Sequence, residues 1–279
     1  MKKSLLLILT CVSTIAFAQK NQSCCSLTST EKFAMLASNE RFASAHADPL
    51  PFTFIPAKGK MVTYKTSDGK DANAFVVLAD KPSKNWLFVI HEWWGLNDYI
   101  KQEAEKLQGE LIKTNVLAID LYDGQVASVA ADAQKIMGEI KQERALSIIN
   151  GAIAYAGPKT KIYTIGWCFG GGWSLQTTLL AGKQAAGCVM YYGMPETDQA
   201  KLKALKADVL GIFAKKDEWI NRKIVDKFAE DMKTVKKNLT VKWYSADHAF
   251  ANPSNPNYNR SAAENAHKLT LAFLTERIR

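Results

Sequence analysis

Six short apolar runs constrain the fold more than any other feature of this chain. They are Trp86 to Ile90, Val116 to Ile119, Ile162 to Ile165, Gly187 to Tyr192, Val209 to Phe213 and Val241 to Tyr244. Stretches of helical pattern separate them, at about 98–113, 128–156, 170–182, 198–206, 221–235 and 258–277. A strand buried on both faces reads as a continuous apolar run, and strands alternating with helices imply a mostly parallel central sheet with helices on both faces. Ahead of these runs, "MVTYKT" and "NAFVVLA" flank Ser67-Asp68-Gly69-Lys70 and predict an antiparallel hairpin. Functional residues of a parallel sheet gather at the carboxyl ends of its strands. The segments that follow each run are therefore where chemistry is expected.

The sheet and its helices need about 220 residues, so one domain is expected over 58–279. Residues 1–18 read as a signal peptide. Lys2 and Lys3 precede an apolar core from Leu5 to Phe17, and Ala16-Phe17-Ala18 supplies a small-x-small cleavage site. The apolar run is too short for a stable membrane anchor, so an exported protein, periplasmic or secreted, is expected. Residues 19–57 read as an arm. Within it "FAMLASNERFASAHA" has the pattern of a short amphipathic helix, and the prolines of "DPLPFTFIP" favour extended chain. The net charge is +9. The lysines are dispersed and no basic run is interleaved with aromatics, so no nucleic-acid partner is expected.

The run at 162–165 meets Gly166-Trp167-Cys168-Phe169-Gly170-Gly171, and a helix-forming stretch follows at once. A strand that turns sharply into a helix brings neighbouring chain close, which only residues without a Cβ tolerate. The turn lifts Cys168 clear of the sheet and places it at a helix N-terminus, where the macrodipole favours a thiolate. Asp217 follows the run at 209–213, and His248 follows the run at 241–244. Nucleophile, acid and histidine in that chain order, each after its own strand, match the α/β-hydrolase arrangement. Cys168 is then the nucleophile, His248 the general base and Asp217 its orienting partner. Glu92 follows the run at 86–90. The backbone amides of Trp93 and Phe169 are placed for an oxyanion hole. No histidine or cysteine spacing suggests a metal site, and no cofactor is expected.

The chain resembles the dienelactone hydrolases (carboxymethylenebutenolidases). The resemblance covers about residues 58–279 and rests on "HEWWGLNDYI", "NVLAIDLYDG", "IGWCFGGGWSL", "YYG" at 191–193, "KKDEWI" and "DHAFAN". It implies an α/β-hydrolase fold and a Cys168, Asp217, His248 triad. It also implies that Glu92 contacts the resting cysteine and takes part in forming the thiolate, and that Trp93 and Phe169 stabilise the oxyanion. The dienelactone enzymes hold a substrate carboxylate with arginines. Here Asn252 stands four residues after the histidine, and "DGQVASVAADAQKIMG" contains no arginine. Lys135 lacks the bidentate fork that would replace one.

Trp94, Tyr122, Trp167, Trp219 and Asn252 flank the inferred site, so its walls are expected to be aromatic and its substrate a small ester or lactone. Trp173, one turn into the helix, is read as core. Two alternatives share these residues: a thioesterase or peptide-directed cysteine hydrolase on the same fold, and a non-catalytic ligand-binding member.

Overall fold

A computed structural model of the chain describes residues 27–278. The segment read as a signal peptide, with Cys11, and the adjacent Cys24 and Cys25 lie outside the described residues. Eight strands form one sheet: β1 (Lys60–Lys65), β2 (Asp71–Val77), β3 (Asn85–Ile90), β4 (Thr114–Ile119), β5 (Lys161–Trp167), β6 (Ala185–Tyr191), β7 (Val209–Ala214) and β8 (Leu239–Tyr244). Their spatial order is β1-β2-β4-β3-β5-β6-β7-β8. The hairpin β1–β2 and the β2–β4 pair are antiparallel, and every other neighbour is parallel. β4 and β7 are buried at every residue, so both faces of the sheet are covered. β8 lies at the edge and alternates instead.

Two short helices precede the sheet, α1 (Ser29–Ala34) and α2 (Glu40–Ser44), joined by a 3-10 turn at Met35–Ser38. After it come α3 (Asp98–Glu110), α4 (Ala130–Glu139), α5 (Gln142–Ala156), α6 (Phe169–Ala181), α7 (Gln199–Ala204), α8 (Arg222–Thr234) and α9 (Arg260–Arg277). Among the described residues no helix is long and apolar enough to cross a membrane.

Two elements differ from the sequence pattern. The helical stretch at 128–156 is two helices, broken where Ile140 and Lys141 adopt extended backbone. Gly138 weakens the last turn of α4. α4 is also engaged by the arm, since Gln134 Nε2 donates to the Ala37 carbonyl at 2.7 Å. The arm's single predicted helix is likewise three short pieces. Thr28 caps α1 in a reciprocal capping box with Glu31, and Asn39 caps α2 through the Phe42 amide. A cap inside a periodic stretch ends one helix and starts another.

The described part of the arm, 27–57, is docked on the domain. The Thr28 hydroxyl donates to Gln142 Oε1 at 2.6 Å, and the Ala130 amide donates to Asp48 at 2.8 Å. Further along, Phe52 stacks on Tyr99, the Phe54 amide donates to Asp98, and the Lys58 amide donates to Glu105. Phe33 and Phe42 are fully buried. Burying two phenylalanines is worth about 3–6 kcal/mol, more than the exposed Arg41–Glu218 ion pair at 2.5 Å adds.

The turn from β5 into α6 is where backbone approaches are closest. Cys168 takes φ +55° and ψ −118°, a sparsely populated conformation for a residue with a side chain. A Cβ on Gly166 would stand 2.1 Å from the Gly170 carbonyl oxygen, and one on Gly170 would stand 2.3 Å from those of Ile90 and His91. Behind the turn, the Ser174 hydroxyl on α6 donates to the Val189 carbonyl on β6 at 2.9 Å, and the Thr164 hydroxyl on β5 donates to the Ser174 carbonyl at 3.0 Å. Those bonds fix α6 to two strands. Gly170→Ala should therefore cost about 3 kcal/mol or more, because backbone and not a flexible side chain must give way. Urea unfolding tests this, and a variant as stable as wild type would count against so tight a turn.

Candidate active site

The strand ends bring Cys168, His248 and Asp217 into one buried line. The Cys168 sulfur lies 3.3 Å from His248 Nε2. His248 Nδ1 lies 2.6 Å from Asp217 Oδ2. The other Asp217 oxygen accepts from the Trp219 and Ile220 amides at 2.9 and 2.8 Å. Those two bonds orient the carboxylate. The carboxylate in turn places the proton of a neutral His248 on Nδ1 and leaves Nε2 facing the sulfur.

Burial works against every charge here, and the partners decide the outcome. Burial raises the Cys168 thiol, an effect that His248 and the Phe169 amide oppose without reversing. Burial thus favours the thiol form of Cys168, against its place at a helix N-terminus, which favours the thiolate. Burial would also raise Asp217, but His248 and the two amides outweigh it and hold the carboxyl below the usual range. For His248, burial pulls downward and the Asp217 carboxylate prevails, so its affinity for a proton rises. A buried sulfur whose proton has an adjacent, carboxylate-supported imidazole to move to can become a nucleophile on demand.

Glu92 follows β3 and is buried. One carboxylate oxygen accepts a short hydrogen bond from Asn252 Nδ2, and the other accepts from Tyr192 Oη at 3.5 Å. Burial raises its pKa to about 7. Its charged form would further raise the Cys168 thiol. Asn252 thus occupies itself with Glu92. His91, the neighbouring residue, is spent on structure: its Nδ1 lies 2.6 Å from the Glu92 carbonyl, and its Nε2 accepts from the Leu121 amide at 3.1 Å.

The Phe169 amide points at the Cys168 sulfur. Among the described residues neither that amide nor the Trp93 amide donates to a protein oxygen. Trp94, Trp167 and Asn252 line, with Glu92, a cavity of about 200 Å³ whose far wall carries Glu103, Glu264, Lys106 and His267. Tyr122 and Trp219 do not line it. Tyr122 packs beneath, on His91 and Phe169, and the arm's Phe42 covers Trp219 at 5.2 Å. Trp173 is buried within the core.

One residue at the site was not singled out by sequence. His46, from the arm, is buried with Nε2 3.9 Å from the Cys168 sulfur, and its ring lies 4.6 Å from Trp93 and 5.3 Å from His248. Its Nδ1 lies 2.7 Å from the Phe42 carbonyl, which can only accept, so Nδ1 carries the proton and Nε2 the lone pair. Burial, then the charge of His248, lowers its pKa to about 3. The available signal was the spacing of Phe42 and His46, four residues apart on one helical face. That spacing shows a buried face and not what covers it.

Comparison with known proteins follows this geometry. The model of the dienelactone hydrolase family matches residues 72–278. Protein usf of Aquifex pyrophilus is 31% identical over 210 residues, covering 68% of this chain and 87% of its own. Carboxymethylenebutenolidase 1 of Cupriavidus pinatubonensis is 24% identical over 201 residues, covering 67% and 83%. Among solved structures, a dienelactone hydrolase-like promiscuous phosphotriesterase from metagenomic libraries superposes with TM-score 0.67 at 19% identity, covering 80% of this chain and all of its own.

The raised pKa of Glu92 has a consequence for stability. The folded value, about 7, lies above the ordinary 4.5. The native state therefore holds the extra proton, and the associated stability is full below about pH 4.5 and lost as pH rises through about 7. Glu92→Gln removes that loss. Between pH 5 and pH 8 the stability of Glu92→Gln relative to wild type should rise by roughly 2–3 kcal/mol. Urea unfolding at the two pH values measures the difference, and a constant gap would mean Glu92 is ionised throughout.

Proposed function

The chain belongs to the dienelactone hydrolase family, and from that premise we propose that it hydrolyses a carboxylic ester or lactone through an acyl-enzyme on Cys168. The observation that carries this reading is the Cys168–His248–Asp217 line, with its 3.3 and 2.6 Å separations.

The thiol proton passes to His248 Nε2 as the sulfur attacks the carbonyl carbon and a carbon–sulfur bond forms. The oxyanion is held by the Trp93 and Phe169 amides, neither of which donates to a protein oxygen among the described residues. Collapse breaks the carbon–oxygen bond, and the alkoxide takes the proton from His248. Water then loses a proton to His248 and attacks the thioester, and the sulfur leaves. Asp217 stays ionised throughout and stabilises the imidazolium. Amides suit this site less well, because thiolate leaves a tetrahedral intermediate more readily than an amine does.

Glu92 belongs both to the cavity wall and to the surroundings of the sulfur. A substrate entering from the cavity meets the Glu92–Asn252 pair first. Asn252 supplies no positive charge, so the reading favours a neutral, apolar acyl group or lactone resting on Trp94 and Trp167.

Hydrolysis of p-nitrophenyl acetate and of a small panel of enol lactones tests the proposal. Wild type should turn over, and Cys168→Ala and His248→Ala should each lower kcat/KM by roughly 10³-fold or more. Activity unchanged in Cys168→Ala would overturn the assignment of the nucleophile.

A further inference from the structure

Three side chains that could bind a metal meet around the Cys168 sulfur, from segments far apart in the chain. The His46 contact spans 122 residues and the His248 contact spans 80. No spacing pattern in the sequence could show them as a set. Cys168 Sγ, His46 Nε2 and His248 Nε2 all lie within 4.8 Å of one another, and all three residues are buried.

We infer that these three residues form a binding site for one thiophilic divalent cation, zinc above all, and that the docked arm completes it by supplying His46. Two observations converge. The first is geometry. Zinc–sulfur and zinc–nitrogen bonds of about 2.3 and 2.0–2.1 Å put sulfur and nitrogen roughly 3.6 Å apart at the tetrahedral angle. The two sulfur–nitrogen separations here, 3.3 and 3.9 Å, lie on either side of that value. The second is the outer shell. A metal-binding histidine nearly always holds a carboxylate or carbonyl with its other nitrogen. His248 holds Asp217 and His46 holds the Phe42 carbonyl, both through Nδ1, so both Nε2 atoms face the sulfur.

The charges also close. A divalent ion with the Cys168 thiolate and the Asp217 carboxylate makes a neutral buried group, where either anion alone would be costly. Two imidazoles and one thiolate suit a thiophilic divalent ion such as zinc, with copper as its competitor. The step is a substitution with no change of oxidation state. The metal–sulfur bond forms as the thiol proton leaves to solvent, and any proton on His248 Nε2 leaves with it. Coordination occupies both the sulfur and His248 Nε2, leaving no base for acylation or for water, so the loaded site holds the hydrolase off until the ion is withdrawn.

The inference shares residues with the proposed hydrolytic site, but its readout is separate. In a chain with Cys11, Cys24 and Cys25 replaced by serine, cadmium is titrated and its ultraviolet charge-transfer band from thiolate is followed. One equivalent should give the band, and zinc should remove it. Cys168→Ser should abolish it and Cys188→Ala should keep it. His46→Gln should weaken binding by more than about 100-fold, beyond the 10–100-fold that loss of an outer-shell partner costs. His46→Cys, measured under a non-thiol reductant, keeps a donor on the arm and should give a stronger band than wild type. That variant decides the matter if His46→Gln fails to fold. An undiminished affinity in His46→Gln, a band no stronger in His46→Cys, or no band in the parent chain would each overturn the site. Loss of the band with ester turnover intact would leave the hydrolytic reading standing.

Discussion

The turn between β5 and α6 is the constraint on which the rest depends. Carbonyl oxygens of β3 and α6 come so near the Cα atoms of Gly166 and Gly170 that no side chain fits. This crowding forces Cys168 into its left-handed conformation and directs the sulfur away from the sheet. Everything else at the site is arranged around that fixed sulfur. The loops after β7 and β8 deliver Asp217 and His248 to one side. The loop after β3 delivers Glu92 and the Trp93 amide. Ser174 and Thr164 tie the turn to its neighbours from below, so the strained residue is held by packing on three strands and not by its own preference.

Burial gives the site its second character. Cys168, Asp217, His248 and Glu92 are all nearly or wholly out of solvent. Each would be neutral if left alone in such a place. Asp217 escapes because it has an imidazole and two amides. For Glu92, burial outweighs the charge of His248 and the bonds from Asn252 and Tyr192, so its pKa is raised to about 7. Two carboxylates in one site are thus separated by environment, one committed to charge and one poised to take or lose a proton near neutrality. The poised one borders the cavity, where a substrate would change its surroundings.

The strands and the chain order of Cys168, Asp217 and His248 were legible in the sequence for a common reason. A parallel sheet buries both faces of its strands, so each strand is an apolar run, and its functional residues must follow directly. The features that were not legible all depend on contacts across long separations. The arm's contact with α4 joins Gln134 to Ala37, 97 residues earlier. Asn252 is spent on Glu92, 160 residues earlier. Tyr122 and Trp219 sit at strand ends as aromatic pocket residues would, yet packing turns one under the floor and the arm covers the other. His46 lies in a segment whose amphipathic pattern was evident while its docking face was not.

The arm is therefore the part of this molecule that the fold does not dictate. The family match begins at residue 72, beyond it. The sheet would place its strand-end residues without it, as their positions follow from β5, β7 and β8 alone. With the arm docked, Phe42 and His46 close one side of the sulfur against Trp93, Trp219 and His248. The cavity is bordered by Glu92 and not by Cys168 itself. His46 is buried as a neutral imidazole, and its Nδ1 proton is satisfied by the Phe42 carbonyl. His46 Nε2 lies 3.9 Å from the sulfur of Cys168.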